Sequence, residues 1–172
     1  MQGASFTIKA HETTAIIGPP GIGKSTIVNL MERFYDPVKG HIQFDKLHLK
    51  DVELNQLRSN IGLVSQEPAF ILGTIKENLL LAQKDATDSQ IDNALERSRS
   101  DFVKLDLKDG IQTHSSSQEF MSLSYFQQFK LTIARAILKN PKVLIFDLDT
   151  SCFDFKDTRE LNNIIKDLGE QE

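Results

Sequence analysis

The chain has 172 residues and a net charge of -4 at neutral pH, with 40% hydrophobic and 26% charged residues. This length and composition predict one soluble globular domain, and the acidic balance argues against a nucleic-acid-binding surface. The apolar runs are far shorter than the roughly 20 residues that a membrane-spanning helix needs, and the amino terminus lacks the apolar core of a signal peptide.

The first half of the chain predicts a mixture of strands and helices. Residues 5–17 are rich in Thr, Ile and Phe, which predicts strands with a turn at KAHE. After the glycine-rich segment GPPGIGKST, apolar residues recur at helical spacing as far as Phe34, and Asp36-Pro37 closes this helix. A strand pair is predicted in GHIQFDKLHL and IGLVSQ, with a short helix or loop at VELNQLRSN between them.

The second half of the chain is mainly helical in its pattern. Helices are predicted between residues 74 and 107, with a helix start at residues 87–89, and the polar segment DGIQTHSSSQEFMS predicts turns. A helix resumes over residues 124–138 before Asn-Pro stops it. KVLIFD predicts a central, fully buried strand, and DTRELNNIIKDLGEQE predicts a terminal amphipathic helix.

One segment carries a phosphate-binding pattern. Residues 18–25 match G-x-x-x-x-G-K-[ST] in full, between a predicted strand and a predicted helix. Glycines let successive N–H groups point into one concavity, where the positive end of the following helix also favours an anion. Lys24 would then reach the outer phosphates, Ser25 would ligate Mg²⁺, and Thr26 would add a hydroxyl to an inner phosphate. The alternative is a glycine-rich turn that happens to contain Lys-Ser.

The candidate phosphate-binding residues are Gly18, Pro19, Pro20, Gly21, Ile22, Gly23, Lys24, Ser25 and Thr26.

A second magnesium ligand is expected at the tip of a buried strand beside this loop. Asp147 directly follows VLIF and suits that role, the alternative being an acid that caps the turn after a core strand. The single Cys152 excludes an internal disulfide, and the four histidines have no metal-ligand spacing.

Four segments, in their order along the chain, extend the pattern beyond the phosphate loop: GPPGIGKST, GLVSQEPA, LSYFQQFKLTIARAILKNPK and VLIFDLDTSCFD. Together they resemble the nucleotide-binding domain of ABC transporters over nearly the whole chain. The resemblance is most marked to multidrug-resistance, P-glycoprotein-like exporters, through ERFYDPVKG, LRSNIGLVSQEPAF, GTIKENL and IARAILKNPK. GPPG alone also suggests an AAA-type ATPase, but the later motifs of that class are absent.

The resemblance implies an α/β fold of the P-loop NTPase class, in which an ABC-type ATPase core sheet carries an inserted helical subdomain. Residues 1–172 would form a single partial domain. Its core subdomain would comprise about residues 1–73 and 139–172, and its helical subdomain about residues 74–138.

The resemblance also implies an activity and its partners. Such a domain couples ATP binding, and in intact relatives hydrolysis, to transmembrane transport. Two domains close head to tail, so that each ATP lies between the phosphate loop of one and the signature of the other. The transmembrane domains, in the same longer chain or in another, would place this domain at the cytoplasmic face of a membrane. No nucleic-acid partner is expected.

By the same resemblance, Mg²⁺ would be held by Ser25, Gln66 and Asp147, and Gln66 would relay to the transmembrane part. Ser124 and Gln127 are the retained polar residues of the signature, which faces the partner's ATP.

Two departures from the family affect catalysis. Leu148 stands where the family has a glutamate that polarises the attacking water, and leucine cannot accept a proton. Asp149 is a poor substitute, because successive side chains of an extended chain point to opposite faces. The signature L-S-G-G-Q reads LSYFQ, so Tyr125 and Phe126 would crowd the partner's γ-phosphate. We expect these two rings to pack as a hydrophobic helix start.

Further departures affect coupling and adenine binding. SSSQEF stands where such exporters carry a Gly-Glu-Arg-Gly-like segment, and the chain has no candidate for the adenine-stacking aromatic or the switch histidine. The expectation is therefore an ATP-binding domain whose own hydrolysis is doubtful. The alternatives are a catalytically degenerate regulatory partner and a non-functional fragment of an ABC transporter.

Overall fold

A computed structural model describes residues 3–148 and 150–170. The helices are α1 (Lys24–Met31), α2 (Leu54–Ser59), α3 (Ile75–Leu80), α4 (Asp88–Arg97), α5 (Phe102–Leu105), α6 (Gln118–Met121), α7 (Tyr125–Leu138) and α8 (Phe155–Gly169). The strands are β1 (Gln43–Phe44), β2 (Leu47–His48), β3 (Ile61–Val64) and β4 (Val143–Phe146). Short 3-10 turns lie at Leu49–Asp51, Gly110–Gln112 and Thr150–Cys152. Within the described ranges, no helix combines the length and apolarity required to cross a bilayer.

The strands form two small sheets. β1 and β2 are an antiparallel hairpin, whereas β3 and β4 pair in parallel with Ile61 opposite Val143 and Val64 opposite Phe146. The parallel pair is joined through the helices α3 to α7, as a parallel connection requires a long crossover. Both strands therefore end at the same edge of their sheet.

Gly62 permits the close packing beside this sheet. A Cβ atom at this position would lie 2.8 Å from Pro141 Cγ and 2.9 Å from a methyl group of Leu144. Any larger residue would push the connection between α7 and β4 away from β3.

The main core surrounds α7, of whose 14 residues ten are buried. Helices α3, α4, α5 and α8 pack against it together with the end of β3. Their buried side chains are Val64, Ile75, Leu79, Ile91, Ala94, Leu95, Phe102, Val103, Leu161 and Ile164. A smaller cluster of Leu49, Leu57 and Ile61 lies under the β1–β2 hairpin and α2.

Three helices begin with reciprocal caps. Thr74, Thr87 and Ser124 each accept a hydrogen bond from the backbone N–H three residues ahead, and the side chain there accepts from the cap's own N–H. Such capping boxes satisfy donors that a helix start leaves unpaired. The predicted helix start at residues 87–89 and the predicted helix over residues 124–138 are thus confirmed.

The strands predicted over residues 5–17 are wrong. The segment forms no strand with the described part of the chain and is exposed throughout, with Ile17 91% exposed. The turn at residues 10–11 does form, with His11 in the left-handed region at φ 59°. Residues with high strand propensity suit a pleated, half-buried surface, and among the described residues no such surface covers this segment.

The first helix is shorter than predicted. It ends at Met31, because Arg33 adopts a left-handed conformation at φ 50° and leaves Phe34 58% exposed. The guanidinium of Arg33 donates to the carbonyls of Leu49 and Val52 at 2.7 and 2.6 Å, which fixes this turn on the neighbouring segment.

Strand pairing also differs from prediction. GHIQFDKLHL is a hairpin by itself, with Asp45 left-handed at φ 55° in its two-residue turn, and β3 pairs with β4 instead. The four residues of β4 are half-buried rather than fully buried, since β3 is their one strand neighbour among the described residues.

Two further helices differ from the prediction. The segment predicted as turns contains the short helix α6, and the terminal helix α8 begins at Phe155, two residues earlier than predicted, with Asp154 as its cap.

Candidate functional site

The glycine-rich segment forms a curled loop at the start of α1. Gly21 and Gly23 have φ of +79° and +103°, a region that residues with a Cβ atom rarely adopt. Gly18 packs closely as well, since a Cβ there would lie 3.0 Å from Ile22 Cγ2. Gly23 caps α1 without a side-chain hydrogen bond from any described residue, and the first turn carries no acid. The positive end of α1 is thus open to an external anion.

Lys24 closes this loop from within. Its Nζ donates to the carbonyl oxygens of Gly18 at 2.8 Å and Pro19 at 3.0 Å. Ile22 N also donates to Pro19 O at 3.4 Å, while Pro20 and Thr26 lie in the same loop and first turn. The predicted phosphate-binding residues therefore form one continuous structure around a fixed ammonium group.

Ser25 and Asp147 meet although 122 positions separate them. The Ser25 hydroxyl donates to Asp147 Oδ1 at 3.1 Å, and Asp147 N donates to Val64 O at 3.0 Å. The second bond continues the β3–β4 ladder by one residue and holds the carboxylate at the sheet edge. A hydroxyl and a carboxylate at this distance are oxygen donors of the kind that Mg²⁺ prefers, so the donor set fits that ion.

Gln66 lies at the same edge, two residues beyond the end of β3, and is exposed. Its backbone carbonyl accepts a hydrogen bond from the Tyr125 hydroxyl. β3 and β4 run in parallel, which places Gln66 on the edge that carries Asp147.

Leu148 is directed away from this group. It is partly buried and packs against the main core cluster. An apolar side chain is therefore anchored at the position where the resemblance implies a glutamate. Asp149 lies outside the described residues.

The polar signature residues Ser124 and Gln127 cap the start of α7. Ser124 Oγ accepts from Gln127 N at 3.1 Å, and Gln127 Oε1 accepts from Ser124 N at 2.9 Å. Phe126 is 5% exposed, as predicted for a packed helix start, whereas Tyr125 is 36% exposed. Both rings contact Phe153, at centroid distances of 5.8 Å from Tyr125 and 5.5 Å from Phe126.

Sequence reasoning missed this aromatic contact and the Tyr125 hydroxyl. The only available signal was the run of aromatics around the signature and after VLIF, which does not reveal which rings meet.

It also missed a charged cavity of about 290 Å³ beside β3, lined in part by Glu32, Arg135 and Lys139. Burial raises the pKa of Glu32, opposed by the positive charges of Lys139 and Arg58. Burial lowers the pKa of both Arg135 and Lys139. The Lys139 ammonium donates to the carbonyl of Ile61 at 2.7 Å.

Comparisons with known proteins agree with the resemblance. Residues 1–151 match the sequence model of the family described as ABC transporter. The ATP-dependent permease MDL1 of Candida albicans is 45% identical over 148 residues, which are 86% of this chain and 22% of the permease. ABC transporter B family member 3 of Dictyostelium discoideum is 38% identical over 169 residues, which are 96% of this chain and 12% of that protein.

Among solved structures, a bacterial Atm1-family ABC exporter with ATP bound superposes with a TM-score of 0.78 at 31% identity. The match covers 88% of this chain and 26% of the exporter chain. The predicted α/β fold of the ABC ATPase type is thereby confirmed. The chain spans 12 to 22% of the length of the two relatives named above. It belongs to the ABC transporter family, as an ATP-binding domain homologous to those of B-family exporters.

Proposed function

We propose that this chain binds Mg²⁺ and ATP as the nucleotide-binding domain of an ABC exporter, coupling ATP binding to transmembrane transport. The observation that carries the proposal is the 3.1 Å hydrogen bond from Ser25 to Asp147. It joins the phosphate loop to an acid at the end of a strand, which is where a second magnesium ligand is expected. Loop geometry supports it, since the left-handed glycines leave the amino end of α1 open to an anion.

The residues of the loop and the strand end have different roles in binding. The backbone of residues 18–26 cradles the phosphates, Lys24 supplies positive charge, and the hydroxyl of Thr26 meets an inner phosphate. Ser25, Gln66 and Asp147 would hold Mg²⁺, which would supply positive charge beside the phosphates.

The proposed partners follow from the architecture of the relatives. A second nucleotide-binding domain pairs head to tail with this one, so that Ser124 and Gln127 face the nucleotide of that partner. Transmembrane domains, in the same longer chain or in another, hold the pair at the cytoplasmic face of a membrane. The names of the relatives support this placement, since they describe a permease, a transporter and an exporter.

We also propose the division into a core subdomain, at about residues 1–73 and 139–172, and a helical subdomain at about residues 74–138. Its support is the run of helices α3 to α7, after which β4 returns to pair with β3.

A second candidate function is regulatory: the chain holds ATP without hydrolysing it and supports an active partner domain. One observation favours it, namely that Leu148 packs against the core where the family has a glutamate. Phosphate release, measured on the ATP-bound chain, separates this candidate from a working ATPase.

The proposal is tested by titrating the purified chain with ATP in the presence of Mg²⁺, using calorimetry. Lys24→Ala is expected to weaken binding by about tenfold or more, because a charge-assisted interaction with phosphate is lost. The matched control is Lys46→Ala, an exposed lysine in the β1–β2 turn, which leaves the affinity unchanged. Equal affinities of the two variants, or no binding by the unmodified chain, would contradict the proposal.

A further inference from the structure

Tyr125 bridges two segments that the proposed site depends on. It is the first residue of α7, and its hydroxyl donates to the backbone carbonyl of Gln66, 59 positions earlier. Gln66 in turn lies two residues past the end of β3. A single phenol group thereby connects the amino end of α7 to the segment that follows β3.

The ring that carries this hydroxyl is held on two sides. It stacks on Phe129 with an interplanar angle of 14° and a centroid distance of 6.5 Å, and it contacts Phe153 at 5.8 Å. Phe153 also contacts Phe129 at 5.1 Å. A tyrosine has only two side-chain torsions, so two ring contacts leave its hydroxyl little freedom.

The segment around Gln66 begins at the sheet edge that carries Asp147. Val64 lies opposite Phe146, and Asp147 N donates to Val64 O, so β3 and β4 end in register. Fixing the carbonyl of Gln66 restricts the segment directly beyond that end, beside the carboxylate that accepts from Ser25.

We infer that Tyr125 is a positioning residue, whose hydroxyl holds Gln66 at the sheet edge where Ser25 and Asp147 meet. The inference rests on the proposed function, in which Gln66 is a magnesium ligand. Tyr125 acts through Gln66, whose backbone carbonyl accepts the hydrogen bond from its hydroxyl.

A purely structural role for Tyr125 is the competing explanation. The ring contacts would serve packing whether or not the hydroxyl positions anything. The two explanations differ in what the loss of the oxygen atom alone does, because Tyr125→Phe keeps the ring and removes the hydrogen bond.

The experiment compares ATP affinity with Mg²⁺ and with EDTA, which gives the gain in affinity due to the metal. Tyr125→Phe is expected to reduce this gain by about three- to tenfold, the value of one hydrogen bond, and to leave the EDTA affinity unchanged.

Two further variants sharpen the test. Tyr35→Phe is the matched control, since the Tyr35 hydroxyl also takes part in one hydrogen bond, from Asn29 Nδ2 at 3.3 Å, away from Gln66. It should leave the metal-dependent gain unchanged. In a Gln66→Ala background the backbone carbonyl remains but no side chain is left to position, so adding Tyr125→Phe should reduce the gain no further.

The outcomes separate the two proposals. If the unmodified chain does not bind ATP, the proposed function fails, and this inference fails with it. If ATP binds but Tyr125→Phe keeps the full metal-dependent gain, only the positioning role is overturned. An equal loss of affinity with Mg²⁺ and with EDTA, or a lower melting temperature with an unchanged gain, assigns Tyr125 to packing and also overturns it.

Discussion

Asp147 and Leu148 are neighbours in sequence with opposite surroundings. The carboxylate of Asp147 accepts from Ser25, whereas the side chain of Leu148 packs against the main core. This is the alternation expected where a strand ends, since successive side chains point to opposite faces. The side chain at position 148 is therefore kept away from the proposed metal site by the direction of the backbone as well as by its residue type.

Leu148→Glu is accordingly expected to destabilise the domain without creating an ATPase. A carboxylate placed against the apolar core loses hydration and the packing of the leucine, which costs about 1–2 kcal/mol at a partly buried position. Urea unfolding measures the loss of stability, and a phosphate-release assay should stay at background.

Leu148→Met is the control for Leu148→Glu, because it keeps an apolar side chain of similar volume and should change stability little. Phosphate release by Leu148→Glu with unchanged stability would contradict the packing described here.

The sequence predicted one part of the site and not the other, for a physical reason. Residues 18–26 are contiguous, so their spacing alone reveals the loop, and Asp147 is marked by the apolar strand before it. The contact of Tyr125 with Gln66 and its ring contact with Phe153 depend on how separate elements pack, which no local pattern encodes.

At the scale of elements, α7 is joined to α8 by a sheltered charge pair. Lys130 is 8% exposed, and its ammonium lies 5.4 and 5.3 Å from the ring centroids of Phe102 and Phe126. It donates to Glu160 on α8 at 2.9 Å. Glu160 is the carboxylate that pairs with this ammonium, and Asp157 adds a second negative charge nearby.

Glu160→Gln is expected to lower the free energy of unfolding by about 1–2 kcal/mol, because it removes the carboxylate that pairs with a nearly buried ammonium. Asp92→Asn is the matched control: Asp92 pairs with Lys104 at the same 2.9 Å, but both side chains are more than half exposed. The free energy of unfolding of Asp92→Asn should fall by less than about 0.5 kcal/mol. Equal losses in urea unfolding would show that burial does not strengthen the α7–α8 pair.

Helices were predicted better than strands for a related reason. A helix satisfies its own backbone, and its caps are local, as with Thr87 and Ser124. A strand needs a partner, so the β-forming residues of segment 5–17 did not become a strand, and β3 paired with β4 and not with the hairpin. The fold class was nevertheless predictable, because several motifs occur in a fixed order along the whole chain.

At the scale of the whole molecule, Glu32 links stability to pH. Burial raises its pKa above that of an unfolded chain, so the folded state binds a proton more tightly. Stability contributed by Glu32 therefore increases as pH falls from the raised value to the ordinary value of a glutamate. At neutral pH its ionised form is a cost, which Lys139 and Arg58 only partly offset.

Glu32→Gln should therefore melt at a higher temperature than the unmodified chain at pH 7, by roughly 1–3 °C, and this advantage should shrink as the pH is lowered toward about 4.5. Thermal unfolding across this pH range checks it.

Glu53→Gln provides a control of opposite sign. Hydrogen bonds from the backbone of Asn55 and Gln56 lower the pKa of Glu53, so its contribution is present above the ordinary value and disappears in acid. A pH-independent effect of Glu32→Gln would contradict the role given to burial.

The Ser25–Asp147 hydrogen bond also determines the stage of folding at which the site becomes complete. Its partners are 122 positions apart, so the loop of residues 18–26 can be complete while the acid is still unplaced. Asp147 reaches Ser25 only once β4 has paired with β3, and closing such a long segment is slow compared with forming a local turn. A ligand that needs both groups binds the finished domain and not its precursors. In that case nucleotide and metal would together select fully folded chains and protect them from unfolding in proportion to ligand concentration.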